Sequence, residues 1–200
     1  MTMEELVPRV RTAAFRHILA TGRPAPVTSL AAATGTGEGE IRAAAGHLLA
    51  AGRARLDGHG NVTAAAGLSV TPTRHRIQTR HGSRWTNCAY DGLGILGALA
   101  ADGAITSSSP LTGQQIRVPF SNGHPGGSGA VLFLADEPEG CRPNDDWCPN
   151  VNLFEDEASA ARWAQAAAVP GRVVSLSEGT RLGTARWRPL TDGHPWAEGR

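Results

Sequence analysis

Lysine is missing from the 200 residues altogether, so all 19 basic side chains are arginine. Against them stand 18 carboxylates, leaving a formal net charge of +1. No bulk field therefore draws the chain to nucleic acid or to an anionic membrane. No apolar run approaches the ~18–20 residues that a membrane span needs. The opening Met-Thr-Met-Glu-Glu-Leu lacks the basic-then-apolar order of a secretory signal. The expectation is a soluble cytoplasmic protein with no membrane partner. Cysteine is nearly absent too. Three is an odd number, and a chain long enough to bury its own core needs no disulfide framework. A thiol kept reduced is core filler, a nucleophile or a metal ligand, and only its surroundings decide which.

What is present begins with helical periodicity. Leu6, Val10, Ala13, Ala14, Ile18 and Leu19 recur on one face and stop at Thr21-Gly22-Arg23-Pro24. A short second helix runs through Ala33, and a third puts Ile41, Ala44, Ala45, Leu48 and Leu49 on one face before Gly52. Arg53–Leu56 and Asn61–Thr63, around Asp57-Gly58-His59-Gly60, predict a hairpin. Residues 1–66 thus form a helical, winged-helix-like domain. Such a domain suggests DNA binding, but helix three opens with Gly37-Glu38-Gly39-Glu40, whose carboxylates would repel phosphates. Arg42, Arg53 and Arg55 are the side chains able to touch a backbone. The expectation is a module packed on a second domain, with no nucleic-acid partner.

Residues 67–190 read as that second domain, a mixed or antiparallel sheet with flanking helices, which makes the whole an α+β fold. Leu68–Pro72, Arg76–Thr79, Gln115–Phe120, Ala130–Ala135 and Val173, Val174, Leu176 read as strands. Ser107–Gly113 is a turn, Ser121–Gly129 a Gly-rich loop and Arg142–Pro149 a polar loop. From Trp85 through Leu99 runs an apolar helix whose Gly92, Gly94 and Gly97 require close packing, expected against the sheet. Asp156–Ala168 is an amphipathic helix carrying Trp163. Residues 191–200 read as a flexible tail.

Cys88 and Asp91 sit at i and i+3 near a helix start, where their side chains share one face. Thr86 or Asn87 can cap that helix, and the unpaired N–H groups of its first turn should pull the Cys88 thiol below ~8.5. A neighbouring thiolate should raise Asp91. The pair alone also fits a core-filling cysteine beside a capping or solvated aspartate. Cys148, between Trp147 and Pro149 before the short apolar run Val151–Phe154, adds a second thiol from a separate element. Two thiolates suit a soft metal of two-coordinate habit, Hg(II) or Cu(I), better than Mg²⁺ or Ca²⁺. The Cys-x-x-Cys knuckles of structural zinc are missing, and Cys141, seven residues before Cys148, makes none. A thiol protease would need a Cys–His pair, for which His75, His81 and His124 are the available partners. Lone histidines in loops are ordinarily solvated, and these three are expected to be so. A metal sensor acting through the winged helix is the alternative among binding proteins.

Trp85-Thr86-Asn87-Cys88-Ala89-Tyr90-Asp91 with its apolar helix resembles the Cys-Ala-x-Asp segment of the organomercurial (alkylmercury) lyases, the MerB family. Cys148-Pro149-Asn150-Val151-Asn152-Leu153-Phe154 resembles that family's second-cysteine segment. Ala160–Ala164, Val173–Gly183, the Ser107–Gly113 turn, Arg23-Pro24 and Ser29-Leu30-Ala31 follow in the family's order, so the likeness spans roughly residues 20–190. It implies a lyase that protonates the carbon of a C–Hg bond. Cys88 and Cys148 would hold the metal, with Asp91 as proton handler and further ligand, and Cys88 would attack first. No organic cofactor is implied, since Hg(II) is substrate and product. Other thiols or a mercuric reductase would collect it from a monomer or homodimer. The chain departs from the pattern at Asn87, where an aromatic is expected, and at Ser109, near a frequent further cysteine. Asn150 and Asn152 stand where some members carry histidines, and Cys141 has no counterpart. A diverged relative without C–Hg cleavage is the alternative within the family.

Overall fold

Residues 1–196 are described by a computed structural model, which opens with three helices, α1 (Met3–Thr21), α2 (Val27–Thr34) and α3 (Glu38–Ala50). The apolar stripes expected for α1 and α3 are buried, except that Leu49 turns outward and Ala13 is half-covered. Strands β1 (Ala54–Leu56) and β2 (Val62–Ala65) follow as an antiparallel hairpin. Its turn is held by the Asp57 carboxylate, which accepts from the N–H groups of His59 and Asn61, both at 2.9 Å.

The hairpin does not stand apart. Strand β3 (Leu68–Ser69) pairs with β2 through Ala64↔Ser69 and Ala65↔Leu68, so one ladder crosses the expected boundary at 66/67. Strands β4 (His75–Thr79), β5 (Gly82–Thr86), β6 (Gly103–Ser108), β7 (Gln115–Ser121) and β8 (His124–Pro125) complete an eight-stranded sheet in the order β1-β2-β3-β5-β4-β6-β7-β8. A second sheet places β9 (Val131–Ala135) between β10 (Asn152–Phe154) and β11 (Gly171–Ser175). Every pairing in both sheets is antiparallel. The class is α+β. Strands β5, β6 and β8 are additions to the expected set: β8 lies in the expected Ser121–Gly129 loop, and β5 covers Trp85 and Thr86, which the sequence assigns to the start of a helix.

Helices α4 (Ala89–Ala98), α5 (Glu157–Ala167) and α6 (Leu176–Thr191) flank these sheets. Helix α6 is the element the sequence conceals. The last strand ends at Ser175, whose hydroxyl accepts from the Glu178 N–H at 3.1 Å and starts the helix, taking Leu176 with it. Helix α6 crosses α4 where Gly94 meets Gly183. A Cβ on Gly183 would stand 2.6 Å from Gly94 Cα, and one on Gly94 would stand 2.5 Å from the Trp187 ring. Gly97 likewise faces α6 at Thr184, so only Gly92, against Ile105 and Ile77, packs on the sheet as expected.

The tail expected from 191 onward is docked as far as Trp196. The Trp196 ring stacks on His81 and lies 4.5 Å from the Arg84 guanidinium. Arg84 in turn donates to the carbonyls of Ile18, Leu19 and Ala20, closing the C-terminus of α1. The remainder of that expected tail, 197–200, lies outside the described residues. Among the described residues no helix is long and apolar enough to cross a membrane.

Candidate active site

Strand β5 delivers the chain to Cys88, which is itself the N-cap of α4, in place of the expected Thr86 or Asn87. Its backbone is extended, with φ −141° and ψ 175°. The cap is reciprocal. The Cys88 N–H donates to Asp91 Oδ2 at 2.9 Å, while the Asp91 N–H is directed at the Cys88 sulfur. Thr86 and Asn87 hold the approach: the Thr86 hydroxyl donates to the Cys88 carbonyl at 3.0 Å, and the Asn87 N–H to the Gly67 carbonyl at 2.8 Å.

Cys148 arrives from the other side of the site. Residues Pro143–Trp147 form one π-helical turn and Cys148–Asn150 a single 3₁₀ turn, an irregular path of the kind found at functional sites. The Trp147 indole N–H donates to the Ala135 carbonyl at 2.9 Å, tying this segment to β9. The Ala89 N–H donates to the Val151 carbonyl at 3.2 Å, tying it to α4. Asn150 and Asn152 serve the segment's own backbone, donating to the carbonyls of Asp146 and Pro149. Ser109 donates to Glu155 at 3.0 Å and so fastens the 107–113 turn beyond β10.

The three predicted residues converge. One ligand atom from each of Cys88, Asp91 and Cys148 lies within 4.8 Å of the other two, and all three are buried. Cys141 lies outside the group, half-buried, with its sulfur 3.9 Å from the Glu137 carboxylate. The histidines do not join it either. His75 is not solvated as expected: it is buried against the Ser107 hydroxyl, at 2.8 Å from Nδ1, and desolvation holds it down at about 3.

Burial also decides the protonation of the acids. Desolvation, reinforced by the neighbouring Cys148 thiol and the Asp91 charge, raises Cys88 well above the ordinary thiol range. The expected lowering by the helix terminus is overridden, because the sulfur is fully enclosed. Desolvation likewise lifts Asp91 to about 6, against the pull of its bonds to Cys88 and of Arg186 and Arg11. The direction for Asp91 is the expected one, but the cause is burial rather than a thiolate.

A cavity of about 30 Å³, room for about one water molecule, opens beside Asp91 and Cys148. Its walls include Gly67, Trp147 and Trp187, and three arginines, Arg11, Arg53 and Arg186, surround it. The Trp187 N–H donates to the Ala66 carbonyl at 2.8 Å, and Tyr90 meets both indoles edge to face. These wall residues carry no sequence motif and come together only through the tertiary fold. A groove of about 650 Å³ between α1, α2 and His194 is lined by no cysteine or carboxylate. Of the N-terminal arginines Arg42, Arg53 and Arg55, the first two are exposed; Arg42 donates to the His59 carbonyl, and Arg55 pairs with Asp145.

Two sulfurs and a carboxyl that holds its proton to about pH 6 form a site able to bind a soft, two-coordinate metal and hand a proton to a group on it. Comparison with known proteins points the same way. The family model described as "MerB: Alkylmercury lyase" matches residues 68–187. The chain is 27% identical over 181 residues to an alkylmercury lyase of Streptomyces lividans, covering 88% of this chain and 79% of that protein. It is 28% identical over 151 residues to an alkylmercury lyase of Staphylococcus epidermidis, covering 73% and 67%. The fold matches the crystal structure of the mercury-bound form of MerB2 with a TM-score of 0.82, at 21% identity over 94% of this chain and 91% of that one.

Proposed function

The chain belongs to the alkylmercury lyase family, and from that premise we propose that it cleaves the carbon–mercury bond of organomercurials by protonolysis, with Cys88, Cys148 and Asp91 as its working groups. The observation that carries this reading is the convergence of the three ligand atoms to within 4.8 Å in a buried setting. Cys88, its thiol raised by burial, enters protonated in this reading. R–Hg–X and two Cys–SH give Cys–S–Hg–S–Cys, R–H and HX, with one thiol proton ending on carbon and the other on the leaving group X.

Cys148 meets the metal first, because it lines the cavity while Cys88 is fully buried and does not line it. This reverses the order expected from a lowered Cys88 thiol, since burial raises that thiol instead. The second sulfur pushes electron density into the Hg–C bond, and Asp91, bonded to the Cys88 N–H, carries the proton to the carbon. Mercury belongs to the substrate, and no organic cofactor enters. Hg(II) then leaves to other thiols, free or on a mercuric reductase. We read residues 1–66 as a winged-helix-like module whose Arg11 and Arg53 wall the site. Residues 67–190 carry the chemistry.

Gas chromatography of the hydrocarbon released from methyl- and phenylmercury, with excess thiol, tests this. Cys88→Ser and Cys148→Ser should each abolish release, Asp91→Asn should bind Hg(II) without turnover, and Cys141→Ser should behave as the parent. Release surviving either site-cysteine change would overturn the reading.

A further inference from the structure

Guanidiniums gathered round one small cavity repel one another, and here Arg11 is half-buried while Arg53 and Arg186 are exposed. Arg11, Arg53 and Arg186 nonetheless all line the opening beside Asp91 and Cys148. Among the described residues none of the three has a carboxylate within 4.0 Å, whereas Arg55 and Arg142 both pair with Asp145. Arg186 rests against the rings of Trp147 and Trp187, at 5.8 and 5.5 Å. Arg11 is the most enclosed, and its Nε is buried with no hydrogen-bond partner. A buried donor without an acceptor marks a place for one.

We propose that these three arginines form an anion subsite at the mouth of the metal site, which binds the carboxylates of the thiol that exchanges with bound Hg(II). The inference rests on the lyase reading above. The occupant is the thiol rather than the organic group for a reason of position. The organic group must reach Asp91 to receive its proton, whereas an exchanging thiol places only its sulfur inward and leaves its substituents among the guanidiniums. In each exchange an incoming thiolate forms an S–Hg bond as a cysteine S–Hg bond breaks. The displaced cysteine sulfur keeps the electron pair and takes a proton from solvent, and mercury stays Hg(II) throughout. Two such exchanges release it.

The full chain loaded with Hg(II) tests the subsite, with loading followed by sulfur-to-mercury charge-transfer absorption and cleavage by hydrocarbon release. Removal of Hg(II) is timed with mercaptosuccinate, 2-mercaptoethanol and cysteamine, with rates expressed per thiolate. At low salt the dicarboxylate should outpace the cation by tenfold or more. Added salt and Arg11→Gln or Arg186→Gln should each shrink that spread, with absorption of the loaded protein unchanged. Equal rates for the three thiols, or a spread indifferent to both substitutions, would overturn the subsite while cleavage stands. A chain that neither loads nor cleaves would remove both. A second arm compares phenylmercury with its para-carboxylate under 2-mercaptoethanol. Equal KM values support the thiol as the anion's source, and an Arg11-dependent preference for the carboxylated mercurial there, with none among thiols, would overturn it.

Discussion

Gly67 and Asp91 lie in contact: φ at Gly67 is +90°, and a Cβ built there would stand 2.7 Å from Asp91 Oδ1. The other carboxylate oxygen is held by the Cys88 N–H. The carboxyl is thus fixed between a cap and a bare stretch of backbone, and a side chain at 67 must move one or the other.

Gly67→Ala should therefore cost turnover at least tenfold while leaving Hg(II) binding by the two cysteines in place. The left-handed backbone adds strain on the order of 1–3 kcal/mol. Hydrocarbon release and a thermal melt on the same preparation check both parts. An unchanged rate with a lowered melting point would show that Asp91 tolerates the shift.

Two buried groups give opposite pH dependences. Asp91 is raised from 3.8 to about 6, so its stabilising contribution is full below its unfolded value and is lost as pH rises towards 6. His75 is lowered from 6.5 to about 3, so its contribution is full above 6.5 and is lost as pH falls towards 3. Between pH 4 and 6 each slope approaches about 1.4 kcal/mol per unit, with opposite sign. The two contributions oppose each other in the metal-free parent, and denaturant unfolding compares each variant with that parent. His75→Asn should lose stability as pH rises, and Asp91→Asn should gain it. Parallel curves for the parent and both variants would refute the assignment.

Gly183→Ala should destabilise the fold by about 1–3 kcal/mol through overpacking at the α4–α6 crossing. Gly46 gives the contrast: it is exposed in α3, and a Cβ there would meet nothing within 4 Å. At that position alanine should add roughly 0.5–1 kcal/mol. Paired thermal melts decide this, and opposite shifts are expected.

The three residues of the candidate site are legible because each carries a local mark. Cys88 and Asp91 share a helix face by spacing alone, and Cys148 sits between Trp147 and Pro149 ahead of a strand. What holds them is not legible. Helix α6 hides behind Gly179, Gly183 and Pro189, residues that argue against a helix until the Gly94–Gly183 crossing is seen. Strand β5 merges into the predicted helix because Trp85 and Thr86 abut an apolar run. The acidity expected of the Cys88 thiol fails because helix position is visible in a sequence and enclosure is not. Arg11, Arg53 and Arg186 are scattered over most of the chain, and only folding makes them neighbours.

The pairing of β2 with β3 has a consequence for how the molecule can be divided. A chain starting at residue 67 would present β3 as a bare edge, its N–H and C=O groups unmatched and open to any passing strand. Leu68, now fully covered, would lie beside that edge stripped of α1. Such a half would recruit copies of itself into aggregates before it met a substrate. The first 66 residues act as the sheet's selvedge, the finished border that keeps the fabric from unravelling into its neighbours.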